Sequence, residues 1–404
     1  DRLLVLLTTC GERRIAEYEK ISWWDFIDAF SKSAAFQQFL ARGMTRSMVA
    51  IRAEEGSART VGYIGLQLTL GLFNPNPVDR LLNGPTNEVW IDPWLRHLIS
   101  LGVGFHNGAR VKSFQMDGRG ISSVSVEIDG LPIDVTADYY VSALPAEAIA
   151  PLISDDMKRA APSLANIDKL RTAWMNGIQF YLERDVPVVH GHTIYIDSPW
   201  ALTSISQRQF WRPNQLQQYG DGRVGGILSV DISDWTAPGI LYGKPATHCT
   251  AEEIKNEVWA QIKGHLNVDG AREFEDANLL AWFLDPDIEF PNPTQTTNLE
   301  PLLINTAGSL AWRPEAHTEI PNLMLASDYV RTYTDLACME AANEAARRAT
   351  NAILDRERSA APRAALWPLQ EPDFFAPMRD FDRLRFLLGL PHAGFGGLAL
   401  GVSR

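Results

Sequence analysis

The chain has 404 residues, 46% of them hydrophobic and 21% charged, enough for two domains around large cores. Its net charge of -12 leaves no basic stripe to neutralise phosphates, which argues against a nucleic-acid partner. Cys10, Cys249 and Cys338 are odd in number and lack metal-ligand spacing, so free thiols and a reducing, cytoplasmic location are expected.

Residues 1–88 read as mostly helical. Ser22 and Asp25 have capping-box spacing, and Trp23, Phe26, Ile27 and Phe30 fall at i, i+3, i+4 and i+7, which predicts one buried aromatic face. From Asp92 the pattern becomes α/β. Asp92, followed by Pro93, is expected to cap a helix that buries Trp94, Leu95, Leu98 and Ile99 and ends at Gly102. Alternating strands are predicted at 112–116 and 121–128 with Asp129-Gly130 as their turn, and a further strand at 139–143.

Strand-like segments then follow at 174–182, 192–196, 201–207 and 224–232. Thr250 and Glu253 open an amphipathic helix running to Leu266, with Ile254, Val258 and Ile262 on its apolar face. The region is rich in aromatics, among them Trp174, Tyr181, Trp200, Trp211 and Trp235, which suits the wall of a long apolar site and equally suits a plain core. Gly220 to Gly225 has Gly-x-Gly-x-x-Gly spacing but leads into Ile227-Leu228-Ser229-Val230, so it reads as a hairpin turn. The looser match at Gly394, Gly396 and Ala399 reads as tail.

The most informative segment is 322–354. An apolar strand, Leu323 to Ala326, runs into Ser327-Asp328, and after a polar crossing an alanine-rich helix is expected to begin near Asp335. A carboxylate at the end of such a strand accepts hydrogen bonds from ribityl or sugar hydroxyls, and a helix N-terminus stabilises an electron-rich group. A flavin dinucleotide is the ligand this suggests. Beyond it, Arg379, Arg383 and Arg385 alternate with Phe381, Leu384 and Phe386, a mixture suited to a peripheral membrane contact, while no apolar run reaches the ~18 residues of a spanning helix.

Segment 322–354 resembles the C-terminal flavin-binding motif of the amine oxidase and phytoene desaturase superfamily, with Ser327, Cys338 and Ala341 as departures from its usual residues. Within it the chain is most similar to isoprenoid (carotenoid) desaturases and hydroxysqualene dehydroxylases, through 79–85, Asp92-Pro93-Trp94-Leu95, Val111, the strand ending Ala143-Leu144-Pro145, and Arg313-Pro314. The resemblance implies a two-domain α/β FAD-dependent oxidoreductase fold with a mixed sheet-plus-helices substrate domain. Residues 1–88 and 151–300 would form the substrate domain, 89–150 and 301–356 the two halves of the FAD domain, and 357–404 a tail. It implies FAD as cofactor, held by Val111 and Ala143 at the adenosine and by Ser327, Asp328, Tyr329, Cys338, Met339 and Ala342 nearer the flavin, with the Met339 N–H facing the ring. A long apolar isoprenoid is the implied substrate, with an amine or amino-acid oxidase, or a non-catalytic subunit, as the alternatives.

Such enzymes carry the pyrophosphate on an N-terminal strand, glycine turn and helix, a unit not found in residues 1–60. The expectation is therefore an N-terminal fragment or small subunit that supplies it. No catalytic acid or base stands out; Tyr329, Arg331, Tyr333 and Asp335 are the candidates in the crossing loop.

Overall fold

The computed structural model describes residues 1–71, 80–213, 215–270, 274–292 and 295–394. Asp79, and residues 395–404 with most of the second glycine match and the end of the tail, lie outside them.

The first core gathers short N-terminal helices around Leu6, Trp24, Phe26 and Leu66. Ser22 caps as its spacing predicts, its Oγ accepting from the Asp25 N–H at 3.0 Å. The helix spans only Trp23–Phe26, however. Asp28 takes a left-handed φ of 53°, which turns the chain and leaves Phe30 85% exposed instead of on the buried face.

The second core lies under a five-stranded antiparallel sheet, ordered Leu279–Leu284, Asn176–Leu182, Gly226–Ile232, Leu202–Ser206 and His192–Ile194. Strand alternation turns Ile178, Phe180, Leu182, Leu228 and Val230 toward the Ala251–Leu266 helix, which buries Ile254, Val258 and Ile262. Thr250 and Glu253 form the full capping box. The edge strand Leu279–Leu284 was not legible in the sequence pattern. Gly220 and Gly222, both at positive φ, turn the chain into strand Gly226–Ile232, so this glycine match joins no strand to a helix.

The third core joins distant segments. Tyr140–Ser142 pairs in parallel with Leu323–Leu325, and the antiparallel strands Arg110–Met116, Ile121–Ile128 and Leu131–Val135 pack nearby, with Asp129-Gly130 as the turn. Helix Met339–Arg356 closes this core with Ala345 and Ala349.

Two expectations fail here. Asp92 is no cap, because helix Asp92–Ser100 continues directly from a π-helical turn at Asn87–Ile91. Its apolar face is not buried either: Trp94, stacked only on Trp90 of the preceding turn among the described rings, is 49% and Ile99 53% exposed. In the tail, helix Ala376–Leu387 is anchored by its polar side. Asp382 accepts from Arg13 Nε at 3.0 Å and from the Cys10 N–H at 2.9 Å. Arg379 pairs with Glu371 and Arg383 with Glu12, while Arg385 donates to the Pro391 carbonyl, so these arginines are engaged within the chain. Phe381, Leu384, Leu387 and Leu388 face outward. No described helix is long and apolar enough to cross a membrane.

Candidate functional site

The carboxyl ends of the parallel strands Tyr140–Ser142 and Leu323–Leu325 lie side by side, the position of the ligand crevice in open α/β sheets. Backbone bonding continues one residue further, from the Ala326 N–H to the Ser142 carbonyl at 2.8 Å, and then the two chains part. Asp328 stands where they part. Its carboxylate accepts from Ser327 Oγ at a long 3.3 Å and meets the Tyr329 backbone N–H, which leaves acceptor capacity free, and burial raises its pKa. Glu147 reaches the same region; burial raises its pKa as well, with the charge of Asp328 adding to the effect. Two buried hydroxyls, Ser142 Oγ and Tyr329 Oη, have no hydrogen-bond partner among the described residues.

A buried quartet holds the loop after the strand. Arg313 donates to the carbonyls of Asp328 at 2.6 Å, Tyr329 at 2.9 Å and Val330 at 2.7 Å, and it pairs with Asp335. Asp335 also accepts from Arg59 and from Thr60 Oγ1, and Glu19 completes the set beside Arg59 and Ser57. Two guanidinium groups thus meet two carboxylates, which is how buried charge is tolerated. From the other side Glu344 accepts from the N–H groups of Tyr333 at 2.7 Å and Thr334 at 3.1 Å.

These contacts correct the reading of the crossing loop. The helix starts at Met339, with Cys338 as its N-cap, and not near Asp335, because Asp335 sits at a left-handed φ of 48° that a helix cannot include. Asp335 is bonded on both oxygens and Arg331 reaches the Arg313 carbonyl, so neither is a free acid or base. Tyr329 is fully buried in the apolar core, and burial raises its pKa, which removes it from that role too. Tyr333 stays 45% exposed beneath the Arg348 guanidinium.

The remaining candidates fall as follows. Val111 lies in strand Arg110–Met116 and packs, like Ala337, against the core that carries the crevice. Ala143 is exposed just past strand Tyr140–Ser142. Ser327 is buried beside Asp328. Cys338 has its thiol pushed up to about 11 by burial, so it is neutral and suited to packing. Met339 exposes its side chain, and no side-chain hydrogen bond from the N-cap Cys338 caps this 18-residue helix. Ala342 is half-buried; the small face against the core is Ala341, Ala345 and Ala349, with Ala346 exposed instead. The sequence reading missed the roles of Arg59, Glu19 and Glu344. Nothing in their local sequence sets them apart, since Glu19 stands between Glu17 and Lys20 and Glu344 between Asn343 and Arg347.

A strand-end carboxylate with spare acceptors, orphaned hydroxyls and an uncapped helix N-terminus fit a ligand rich in hydroxyls with an electron-rich ring. The sequence model of the flavin-containing amine oxidoreductase family matches residues 23–354, and the chain belongs to that family. Its cofactor is accordingly a flavin, FAD. Among solved structures, a putrescine oxidase variant is 14% identical, with 84% of this chain and 69% of that one covered and a TM-score of 0.57. Cyclohexylamine oxidase from Brevibacterium oxydans is 10% identical over 88% and 73%, with a TM-score of 0.53. An oxidoreductase from Methanosarcina mazei is 14% identical over 82% and 68%, with a TM-score of 0.51. At such identities these likenesses show the fold, an α/β amine oxidase-like FAD-dependent oxidoreductase fold. No curated protein matches the chain.

Proposed function

We propose that this flavin-dependent oxidoreductase takes hydride from a long, largely apolar substrate of isoprenoid type. The supporting observation is a cavity of about 870 Å³ over the open face of the five-stranded sheet, walled by Leu81, Leu82, Tyr181, Trp211, Leu216 and Ile227. Its size is near the top of the usual ~300–1,000 Å³ range for small-molecule sites. The flavin, when bound, accepts the hydride. The chain's part is to hold the flavin's hydroxyls at Asp328, keep the crossing loop rigid through Arg313, and exclude water along the apolar wall. Family membership and the putrescine and cyclohexylamine oxidases among the neighbours support a second reading more directly, oxidation of an amine. Anaerobic addition of squalene-type and amine substrates to the FAD-loaded protein separates them. Bleaching by the isoprenoid, lost in Trp211→Asp, supports the first reading; bleaching by amines alone overturns it.

We also propose that a further polypeptide segment completes the cofactor domain. Residues 140 and 142 spend their backbone groups on strand Leu323–Leu325, so those of Val141 point the other way, and its side chain is 49% exposed. Trp94, Ile99, Leu101, Val103 and Phe105 are exposed as well. An open, apolar strand edge invites pairing. Intact-mass analysis of the active preparation should show a segment carrying Gly-x-Gly-x-x-Gly; stoichiometric FAD binding by residues 1–404 alone would refute it. The outward ridge of helix Ala376–Leu387 supports a third proposal, contact with a lipid surface, and equal liposome flotation with and without residues 376–404 would remove it.

A further inference from the structure

The five-stranded sheet that floors the cavity turns a mixed face toward it. Tyr181 stands directly opposite Ile227 and Gln179 opposite Ser229, and directly opposed residues share a face. Ile205 is opposite Ser229 on the next strand. The Gln207 N–H carries that ladder on, donating to the Ile227 carbonyl at 2.9 Å, so Gln207 joins the same face two residues beyond Ile205. Gln179, Tyr181, Gln207 and Ile227 all line the cavity, beneath walls that include Trp211 and Leu216.

The bonds these side chains make to one another leave a matched pair of groups over. Tyr181 Oη donates to Gln179 Oε1 at 2.8 Å, which leaves Gln179 Nε2 without a partner among the described residues. Gln207 Nε2 donates to Ser229 Oγ at 3.2 Å, which leaves Gln207 Oε1 as a free acceptor. Both glutamines are half-buried, and neither free atom is sealed in the core. A charged head group would find no counter-ion on this floor. Among the described residues the one carboxylate of the lining is Asp221, which is exposed and pairs with Arg223 at 2.6 Å. Asp231, two residues beyond Ser229 on the same face, is exposed and outside the lining. A neutral donor and a neutral acceptor in an otherwise apolar space suit a ligand group that both accepts and donates, as a hydroxyl does.

The geometry points to a hydroxyl-binding subsite on the cavity floor: Gln179 Nε2 donates to, and Gln207 Oε1 accepts from, a single hydroxyl carried by an otherwise apolar ligand. The subsite rests on the cavity reading and narrows its substrate from a hydrocarbon to an alcohol. Gln179 and Gln207 act as specificity residues, setting where along the cavity the ligand's polar atom comes to rest.

Isothermal titration of the full chain with 1-octanol and with methyl octyl ether tests it, since the ether accepts a hydrogen bond but has none to donate. A cavity that only excludes water would favour the ether, whose oxygen costs less to desolvate. The subsite should instead make the alcohol bind about tenfold tighter. Gln207→Met should bring the alcohol down to the ether's affinity and leave the ether unchanged. Gln179→Met combined with Tyr181→Phe removes the floor's donors to the ligand and should weaken both ligands alike, by about fivefold. Wild-type binding without an alcohol preference, a preference that survives Gln207→Met, or undiminished binding in the double variant overturns the subsite and leaves the cavity reading standing. Failure of the wild type to bind either ligand overturns both.

Discussion

Single residues at the crevice divide into those that hold the loop and those left free for a ligand. Arg313 belongs to the first group: it is almost fully buried and satisfies three carbonyls and a carboxylate. Arg313→Ala leaves Asp335 short of a partner and should cost about 3–5 kcal/mol, the usual penalty for breaking a buried pair, read from urea unfolding. Asp328 belongs to the second. Its pKa is raised in the folded state by burial. A raised carboxyl pKa means the folded state favours the protonated form, so the penalty is absent below the unfolded pKa, grows as pH rises from there toward the folded one, and is complete above it. Asp328→Asn should therefore stabilise the fold at neutral pH and flatten its pH dependence, yet weaken flavin retention; an unchanged yellow absorbance per chain would remove Asp328 from the site. Tyr329→Phe deletes a buried hydroxyl without a partner and should be neutral or stabilising by about 1 kcal/mol.

At the scale of elements, local signals worked where the partner is close in sequence. The Thr250–Glu253 capping box, the Ser22 cap and the Asp129-Gly130 turn need only a few neighbouring residues, and all three form. Thr250→Ala should cost about 1 kcal/mol. The helix beginning at Met339 shows the limit. Alanine content marks its existence, but its start depends on Asp335, whose left-handed backbone is held by Arg59 and Arg313 from far away in sequence. Likewise periodicity alone cannot tell Ala342 and Ala346 from Ala341 and Ala345. Packing against strand Leu323–Leu325 selects Ala341, Ala345 and Ala349. Ala345→Leu should overpack that contact and cost about 1–3 kcal/mol by thermal unfolding, whereas Ala346→Leu, on the exposed side, should cost little.

Across the whole molecule, the N-terminal helices meet helix Ala376–Leu387. Burial opposes the charge on Asp382, yet the Cys10 N–H and Arg13 outweigh it and hold its pKa below the ordinary carboxylate value. A depressed carboxyl pKa contributes stability above the unfolded pKa that is lost as pH falls through the folded one. Docking of the tail should therefore weaken only in acid, and Asp382→Ala should speed its removal by limited proteolysis at neutral pH. Unchanged cleavage would show that the Arg379–Glu371 and Arg383–Glu12 pairs suffice.

The sequence by itself determined many local features: most of the succession of helices and strands, the Ser22 and Thr250 caps, the Asp129-Gly130 turn, the strand-carboxylate-helix order of 322–354, and through it a flavin cofactor. These rest on short-range geometry that a few residues dictate. Tertiary structure alone decided which charges are free. Asp328, Asp335 and Asp231 are the same side chain in sequence, but one stands at the crevice with spare acceptors, one is tied to two arginines, and one faces an open sheet surface. Whether a carboxylate binds a ligand or holds a loop depends on what lies within hydrogen-bonding reach, and for these residues the deciding groups come from parts of the chain far away in sequence.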